Sequence, residues 1–510
     1  MIALVLALVL ALGDAPAGSP TPSGVPLDEA AILKHVHEAA GTRPKAERII
    51  ASFSDSGLQG TRTTLRSGDD RRETETVGPF TTASGTYHGQ NWYQNANGQT
   101  VLSQPEGGHA APDPTTTTVT PVTTPVNGHV IAELNKRGQG TREYVDSATW
   151  RIVRRDYISA ADTTVYVYDD FRTTAGYTQA WHWTSRDGHP ENDGEYRIQS
   201  IDTTTVTDAD LAIPPSRRNL VEFPPGVTSV KLPARENRAK FLVRVNIGSR
   251  GLDLELDTGA DGIVLDDDVV KELGLKTYGA YSSAANAGRF KGTSTIVPEM
   301  KVGTLTMRDV AVQTIPHVGD DSPGEYKAVG LLGFDFIASL VLELDYERGE
   351  VTAIDPDAFV PPTDPLTNAV TVRLGSGVPL TDVSVNGALG ERFMVDTGAA
   401  GGMMIFDYFA RRHPEALVDA GHGYAGPAQT FLGVGGEFEA RPLQLSSVRL
   451  GRVNFADFVA YVVASSKSYG FHADGLIGAG FLELYTVYTD YQNSMLNFVP
   501  NALGRSSMKK

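Results

Sequence analysis

Asp257 and Asp396 are the residues whose surroundings point to chemistry. Asp257 ends the stretch Leu254-Glu255-Leu256 and is followed by Thr258-Gly259-Ala260. Asp396 ends Phe393-Met394-Val395 and is followed by Thr397-Gly398-Ala399. The two copies lie 139 residues apart (396 − 257), and an apolar run follows each: Ile263-Val264-Leu265 and Met403-Met404-Ile405. One Asp-Thr-Gly alone is ordinary turn chemistry. Two copies in matching surroundings make a candidate carboxylate pair. Carboxylates held about 3 Å apart cannot both ionise, because the like charge raises one pKa strongly. Such a pair holds one proton and titrates as a unit. One member can then accept a proton while its neighbour donates one. The glycines at 259 and 398 permit close backbone approach.

The chain that must position this pair has 510 residues, too many for one core, with 41% hydrophobic residues to bury. Its formal net charge of −17 argues against a nucleic-acid partner, which needs a basic surface. Cysteine is absent. Disulfide scaffolds, thiolate metal sites, thiol nucleophiles and lipid-modified cysteines are thereby excluded. No cofactor and no metal are expected. Asp266-Asp267-Asp268 reads as the acid-rich start of a helix. The 11 histidines form no close ligand pattern, and neither a G-x-S-x-G elbow nor a P-loop is present.

Residues 1–17 open with the apolar run Ile2 to Leu12 and reach Ala15-Pro16-Ala17, an A-x-A-like cleavage signal. The run is too short to span a bilayer comfortably, so a signal peptide and a periplasmic or secreted protein are expected. The positive residues usual before such a run are missing. Residues 18–27 are Pro/Ser/Gly-rich and read as disordered. After signal removal the protein is not expected to be integral to a membrane.

Asp28 to Ala40 carries apolar residues at helical spacing, and a second short helix is predicted over 46–53. From Leu58 the period changes to two, with turns at Gly68-Asp69, Gly89 and Asn97-Gly98. Residues 107–126, with Thr115 to Thr118, read as a crossover loop, and 129–136 as a short helix. Further strands are predicted at 142–145, 150–157, 163–171, 177–185 and 195–205, closing at Ala212-Ile213-Pro214. An antiparallel sheet curled around a helix follows. Tyr144-Val145-Asp146, Trp150 to Arg154, Tyr168 to Arg172 before Gly176, and Asp208 to Pro214 resemble the lipoprotein-carrier (LolA-like) fold over residues 28–216. The resemblance implies a half-barrel that cradles a lipid or acyl chain. An accessory domain without such a ligand is the alternative. Residues 217–236, with Pro224-Pro225-Gly226, read as a linker.

From Val230 the chain can be laid over itself. Val243 to Asn246 answers Val383 to Asn386, and Gly288-Arg289-Phe290 answers Gly436-Glu437-Phe438. Gly330-Leu331-Leu332-Gly333 answers Gly475-Leu476-Ile477-Gly478, and closing strands Val341 to Tyr346 and Thr486 to Tyr491 follow. Asp266 is the expected cap of a helix to Leu273 with Gly274 beyond it; Asp407 is the expected cap of its counterpart, 408–412. Lobes are expected at 237–360 and 361–500, with a tail over 501–510.

This pattern resembles the pepsin-like and retropepsin-like aspartic proteases. The implied fold is mainly β: a bilobal double-β-barrel acid-protease fold after the half-barrel, monomeric in its protease half. The implied activity is peptide-bond hydrolysis by a water activated between Asp257 and Asp396, on a peptide or protein substrate. Thr258, Gly259, Ala260, Thr397, Gly398 and Ala399 would support the loops, with the threonines bonding across the lobe interface. Gly433, Val434, Gly435 and Gly436 resemble a glycine-rich flap tip, suited to a mobile lid. Alanine at 260 and 399 offers the carboxylates no hydroxyl, which implies a milder pH optimum than a serine-bearing pair would give. The contrasting reading is a catalytically inactive peptide- or lipid-binding protein of the bacterial envelope.

Overall fold

The computed structural model describes residues 29–103, 117–121, 130–136, 141–146, 148–159, 162–285, 288–318, 327–417, 426–434, 436–463 and 473–507. The expected signal peptide, the segment 18–27 and most of the predicted crossover lie outside these residues. The described chain is mainly β. It forms two compact units. One takes in described residues up to Tyr93, those between Pro105 and Pro214, and Gly279–Ser282; the other takes in Gln94–Gln104, Pro215–Tyr278 and Ser283 onward. Among the described residues no helix is long and apolar enough to cross a membrane.

The first unit is an antiparallel sheet with one long helix, Glu29–Ala40. Ile32 and Val36, one helical turn apart, are buried with Val145 of the sheet. Two predicted helices are strands instead. Ala46–Asp55 pairs with Leu58–Ser67 on one side and Gly194–Asp202 on the other, so the first strand sits beside the last. Its buried residues are Glu47, Ile49, Ala51 and Phe53, a period of two that the adjacent pair Ile49-Ile50 disguises as helical. Val130–Lys136 pairs with both Thr117–Pro121 and Thr141–Asp146. Partners on both edges outweigh the weak helical spacing of its apolar residues. Thr117–Pro121 itself falls within the expected crossover loop. The sheet buries charge as well as apolar area. Arg62 donates to Glu75 (2.7 Å) beside a stack of Phe53, Tyr196 and Trp183, with ring centroids 5.3 and 5.2 Å apart.

In the second unit the same topology occurs twice. The first lobe contains Lys240–Ile247, Arg250–Leu256, Ile263–Asp266, Gly288–Val302, Leu305–Ile315 and Gly330–Leu332. The second repeats them as Val378–Val385, Ala388–Asp396, Met403–Ile405, Gly436–Leu450, Val453–Val463 and Gly475–Gly478. Gly330–Leu332 lies between the strand that leads into Asp257 and the strand after it, parallel to the first and antiparallel to the second. Gly475–Gly478 repeats this beside Asp396. A six-stranded sheet joins the lobes, three strands from each side: Ser229–Lys231, Glu350–Ile354 and Val341–Asp345, then Tyr485–Asp490, Met495–Pro500 and Asn368–Thr371. Its central pairing sets Leu342 to Asp345 against Thr489 to Thr486. Phe241, Leu254, Leu256, Phe336, Phe393 and Phe498 are among the fully buried side chains of one continuous core.

Asp266 caps the helix Asp267–Glu272, accepting from the Asp268 amide at 2.9 Å, and Gly274 follows with φ +64°. The matching helix, Asp407–Arg412, starts one residue earlier than expected. Asp407 is its first residue, paired with Arg411, and Phe406 stands at the cap position without a side-chain bond.

Candidate active site

Each aspartate sits where its strand ends and the chain must turn under a neighbouring strand. Asp257 N donates to Leu332 O at 3.1 Å, tying the loop to Gly330–Leu332. On the far side of each loop, Phe334 N donates to Ala260 O (3.0 Å) and Ala479 N to Ala399 O (2.7 Å). Gly333 and Gly478 lie against these loops. A Cβ there would meet Gly262 O at 2.3 Å and Gly401 O at 2.2 Å, closer than any side chain tolerates. The glycine that ends each apolar segment is therefore a packing requirement of the aspartate loop.

The two loops are bound to each other by a crossed set of bonds. Thr258 N donates to Thr397 Oγ1 and Thr397 N donates to Thr258 Oγ1, both at 3.0 Å. Thr258 Oγ1 donates to Val395 O (2.6 Å) and Thr397 Oγ1 to Leu256 O (2.7 Å). Both threonines are buried, at 3% and 2% exposure. Every hydroxyl and amide of the crossing is thereby satisfied, which a buried polar cluster requires.

This grip brings the carboxylates together. A Cβ on Gly259 would fall 2.7 Å from Asp396 Cγ, and one on Gly398 would fall 2.6 Å from Asp257 Cγ. Each aspartate packs on the bare backbone of the opposite loop. Gly259 N donates to Asp257 Oδ1 (2.8 Å); Gly398 N and Ala399 N donate to Asp396 Oδ1 (2.9 and 3.1 Å). Burial pushes Asp257 up from the ordinary carboxyl range, opposed by the Gly259 amide and the nearby Lys240 cation. Asp396 rises further, through burial and then through the charge of Asp257 and the hydrogen bond to it. Both carboxyls are raised together, so a proton held here belongs to the pair.

Further groups belong to this neighbourhood, and sequence reasoning had not singled them out. Lys240 Nζ lies 3.0 Å from Glu255 Oε1, and both are mostly buried. Tyr346 and Tyr491 follow the two central strands of the joining sheet, at matching places in the duplication. Both hydroxyls are buried and have no hydrogen-bond partner among the described residues. Burial raises both phenols, Tyr491 well above its ordinary value, and the aspartates add to this. The repeated Asp-Tyr of Asp345-Tyr346 and Asp490-Tyr491 was the available signal. Asp335, just past Gly333, is pushed up to about 6 by burial and accepts from Asn95 Nδ2 at 2.7 Å.

The expected flap residues Gly433, Val434 and Gly436 form the tip of a hairpin, Gln429–Gly433 against Gly436–Leu450. Gly433 pairs with Gly436, and Leu432 and Val434 are exposed at 62% and 41%. Gly435 lies outside the described residues. The bonds that join the aspartate loops do not involve this tip.

Two segments, 243–336 and 381–481, match the family model for aspartyl proteases, one in each lobe and each containing an Asp-Thr-Gly loop. Among solved structures, an aspartic proteinase from Irpex lacteus matches with 15% identity and a TM-score of 0.34. The match covers 55% of this chain and 99% of that one. No curated protein matches the chain.

Proposed function

We propose that the chain is an aspartic-type endopeptidase with Asp257 and Asp396 as its catalytic dyad. The observation that carries this reading is the crossed threonine grip, which holds two buried carboxyls against the opposite glycines at a lobe interface. The family match over both lobes supports it.

In the singly charged pair, Asp257 accepts a proton from a water as its oxygen attacks the scissile carbonyl carbon. Asp396 gives its proton to the carbonyl oxygen. The resulting gem-diol collapses when the proton taken by Asp257 passes to the leaving nitrogen and Asp396 recovers one from the diol. The pair returns to its starting state without a covalent intermediate. Because both carboxyls are needed in different protonation states, loss of either removes the cycle. The hairpin around Gly433–Gly436 is the candidate lid over an extended peptide, and the protease half needs no second chain. We further read residues 1–17 as an export signal, so the protein acts in the periplasm or outside the cell. N-terminal sequencing of the mature protein that begins upstream of Ala17 would contradict that.

The test is a peptide-library digest from pH 3 to 8 with the wild type, Asp257→Asn and Asp396→Asn. Each substitution is expected to lower cleavage at least about 1000-fold, the scale seen when a member of a catalytic unit is removed. Undiminished cleavage by either variant would end the dyad reading. An active-site-directed peptide analogue that binds while no peptide is ever cut would point instead to a binding protein.

A further inference from the structure

The duplication is broken at one place beside the aspartates. Lys240 is the first residue of the strand Lys240–Ile247, and Val378 is the first residue of its counterpart, Val378–Val385. The register sets Val245 against Val302 and Val383 against Leu450, so the copies match two residues away from the alignment of Val243 with Val383 that the sequence suggested. Glu255 stands two residues before Asp257, and Met394 stands two before Asp396. The first lobe thus holds an ion pair of 3.0 Å where the second holds Val378 and Met394, 3% and 0% exposed, in an apolar cluster. The same backbone accepts apolar side chains at these positions. Burying two charges costs desolvation that apolar residues avoid, so packing alone gives no reason for the pair.

Its placement does. In the antiparallel register Leu242 faces Glu255, and two residues further along Lys240 stands level with Asp257. Residues 253, 255 and 257 follow one another at the two-residue spacing that puts side chains on the same side of a strand, so Glu255 shares its side with Asp257. Lys240 is the cation that acts on both aspartates. Asp253, next along, is already held by Arg235 and Arg244. Tyr346 and Tyr491 are further titratable groups near the aspartates, with Glu236 and Glu483 acting on Tyr346. The tyrosines stay neutral. Burial opposes the charge on Lys240, but Glu255 and the aspartates outweigh it and keep the amine protonated.

We propose that Lys240 and Glu255 are positioning residues of the dyad: the cation favours its singly charged state, and the Glu255 carboxylate limits how strongly. The proposal rests on the reading of Asp257 and Asp396 as the catalytic pair. It makes the two residues act in opposite directions, which a structural salt bridge does not.

The experiment follows the first ionisation of the dyad in two ways, by the acid limb of kcat/KM and by 13C carboxyl NMR of the aspartates assigned with Asp257→Asn. Lys240→Met is expected to move this ionisation up by about 0.5–1 pH unit, and Glu255→Gln to move it down by a similar amount, for a charge several ångströms away at an effective dielectric of about 20. Lys240→Arg keeps the charge and should match the wild type. Shifts in the same direction, or none, overturn the proposal. Should Lys240→Met fail to fold, because it leaves Glu255 buried and unpaired, the downward shift of Glu255→Gln still decides. Cleavage that survives Asp257→Asn defeats the catalytic reading, while the carboxyl titration still scores the ion pair. Dyad-dependent cleavage with unmoved titrations defeats the ion-pair proposal alone.

Discussion

At the scale of residues, the site depends on what is missing from side chains as much as on what they carry. Gly398 leaves room for the Asp257 carboxyl, and a Cβ there would sit 2.6 Å from its Cγ. Gly398→Ala should therefore force the pair apart. The expected outcome is a loss of cleavage of at least about 100-fold, since small misplacements at a reacting centre cost that much. Thermal melting should fall by no more than an overpacked site of about 1–3 kcal/mol would give. A variant that cuts normally would show that the close approach is dispensable. Ala399 makes a different point. Its amide already donates to Asp396 Oδ1, but it has no hydroxyl to add. A serine there would give the ionised carboxylate another donor and lower its pKa. The acid limb of Ala399→Ser should then move down by about 0.5–1 pH unit, read from the pH–rate profile. A limb that moves up would contradict this account, and a wild-type maximum below about pH 3 would contradict the milder acidity that alanine implies, given a free aspartate near 3.9. The aspartates, threonines and glycines of the site were legible in the sequence because they come twice, with the same neighbours. Lys240 and Glu255 were not, for the opposite reason: they occur in one copy, and a lysine beginning an apolar strand reads as a solvent-facing end.

At the scale of elements, the strands and caps obey local rules where the chain has one dominant signal. The Asp266 cap is such a case. Its Oδ1 accepts from the Asp268 amide and its Oδ2 from the Val318 amide, 3.1 Å away. Asp266→Ala removes a helix cap and a loop anchor together. A loss of about 1–2 kcal/mol of stability is expected, measured by chemical denaturation, with unchanged kcat per folded molecule. A loss of kcat would mean that the helix positions the dyad more directly than its distance in sequence suggests. The misread elements failed for physical reasons. Ala46–Asp55 buries alternate residues, Glu47 among them, so its polar members hid the period of two. Val130–Lys136 has neighbouring strands on both edges, and pairing of that kind is settled by the sheet rather than by the segment. Asp407 resembles a cap in sequence, yet it is the first residue of its helix, as Asp267 is in the first copy; the place that Asp266 fills as cap is taken in the second copy by Phe406.

At the scale of the whole molecule, the duplication was legible over most of the second unit, because matching apolar segments recur in matching order. What it could not reveal was how the copies are joined. The six-stranded sheet takes Val341–Asp345 from one copy and Tyr485–Asp490 from the other as its two middle strands, hydrogen-bonded to each other. Cut the chain between the copies, and each half presents a bare middle strand whose amides and carbonyls have lost their partners. A strand of that kind seeks another strand. A second copy of the same half is the nearest available fit, since the two copies share one topology and their middle strands pair antiparallel. Residues 361–507 produced alone should therefore appear in analytical ultracentrifugation as a pair of identical chains, with a monomer at micromolar concentration as the contrary result. Such a pair would offer two copies of Asp396 and no Lys240. It would be a symmetric ancestor in miniature, in which neither carboxyl is distinguished from the other by the charges around it.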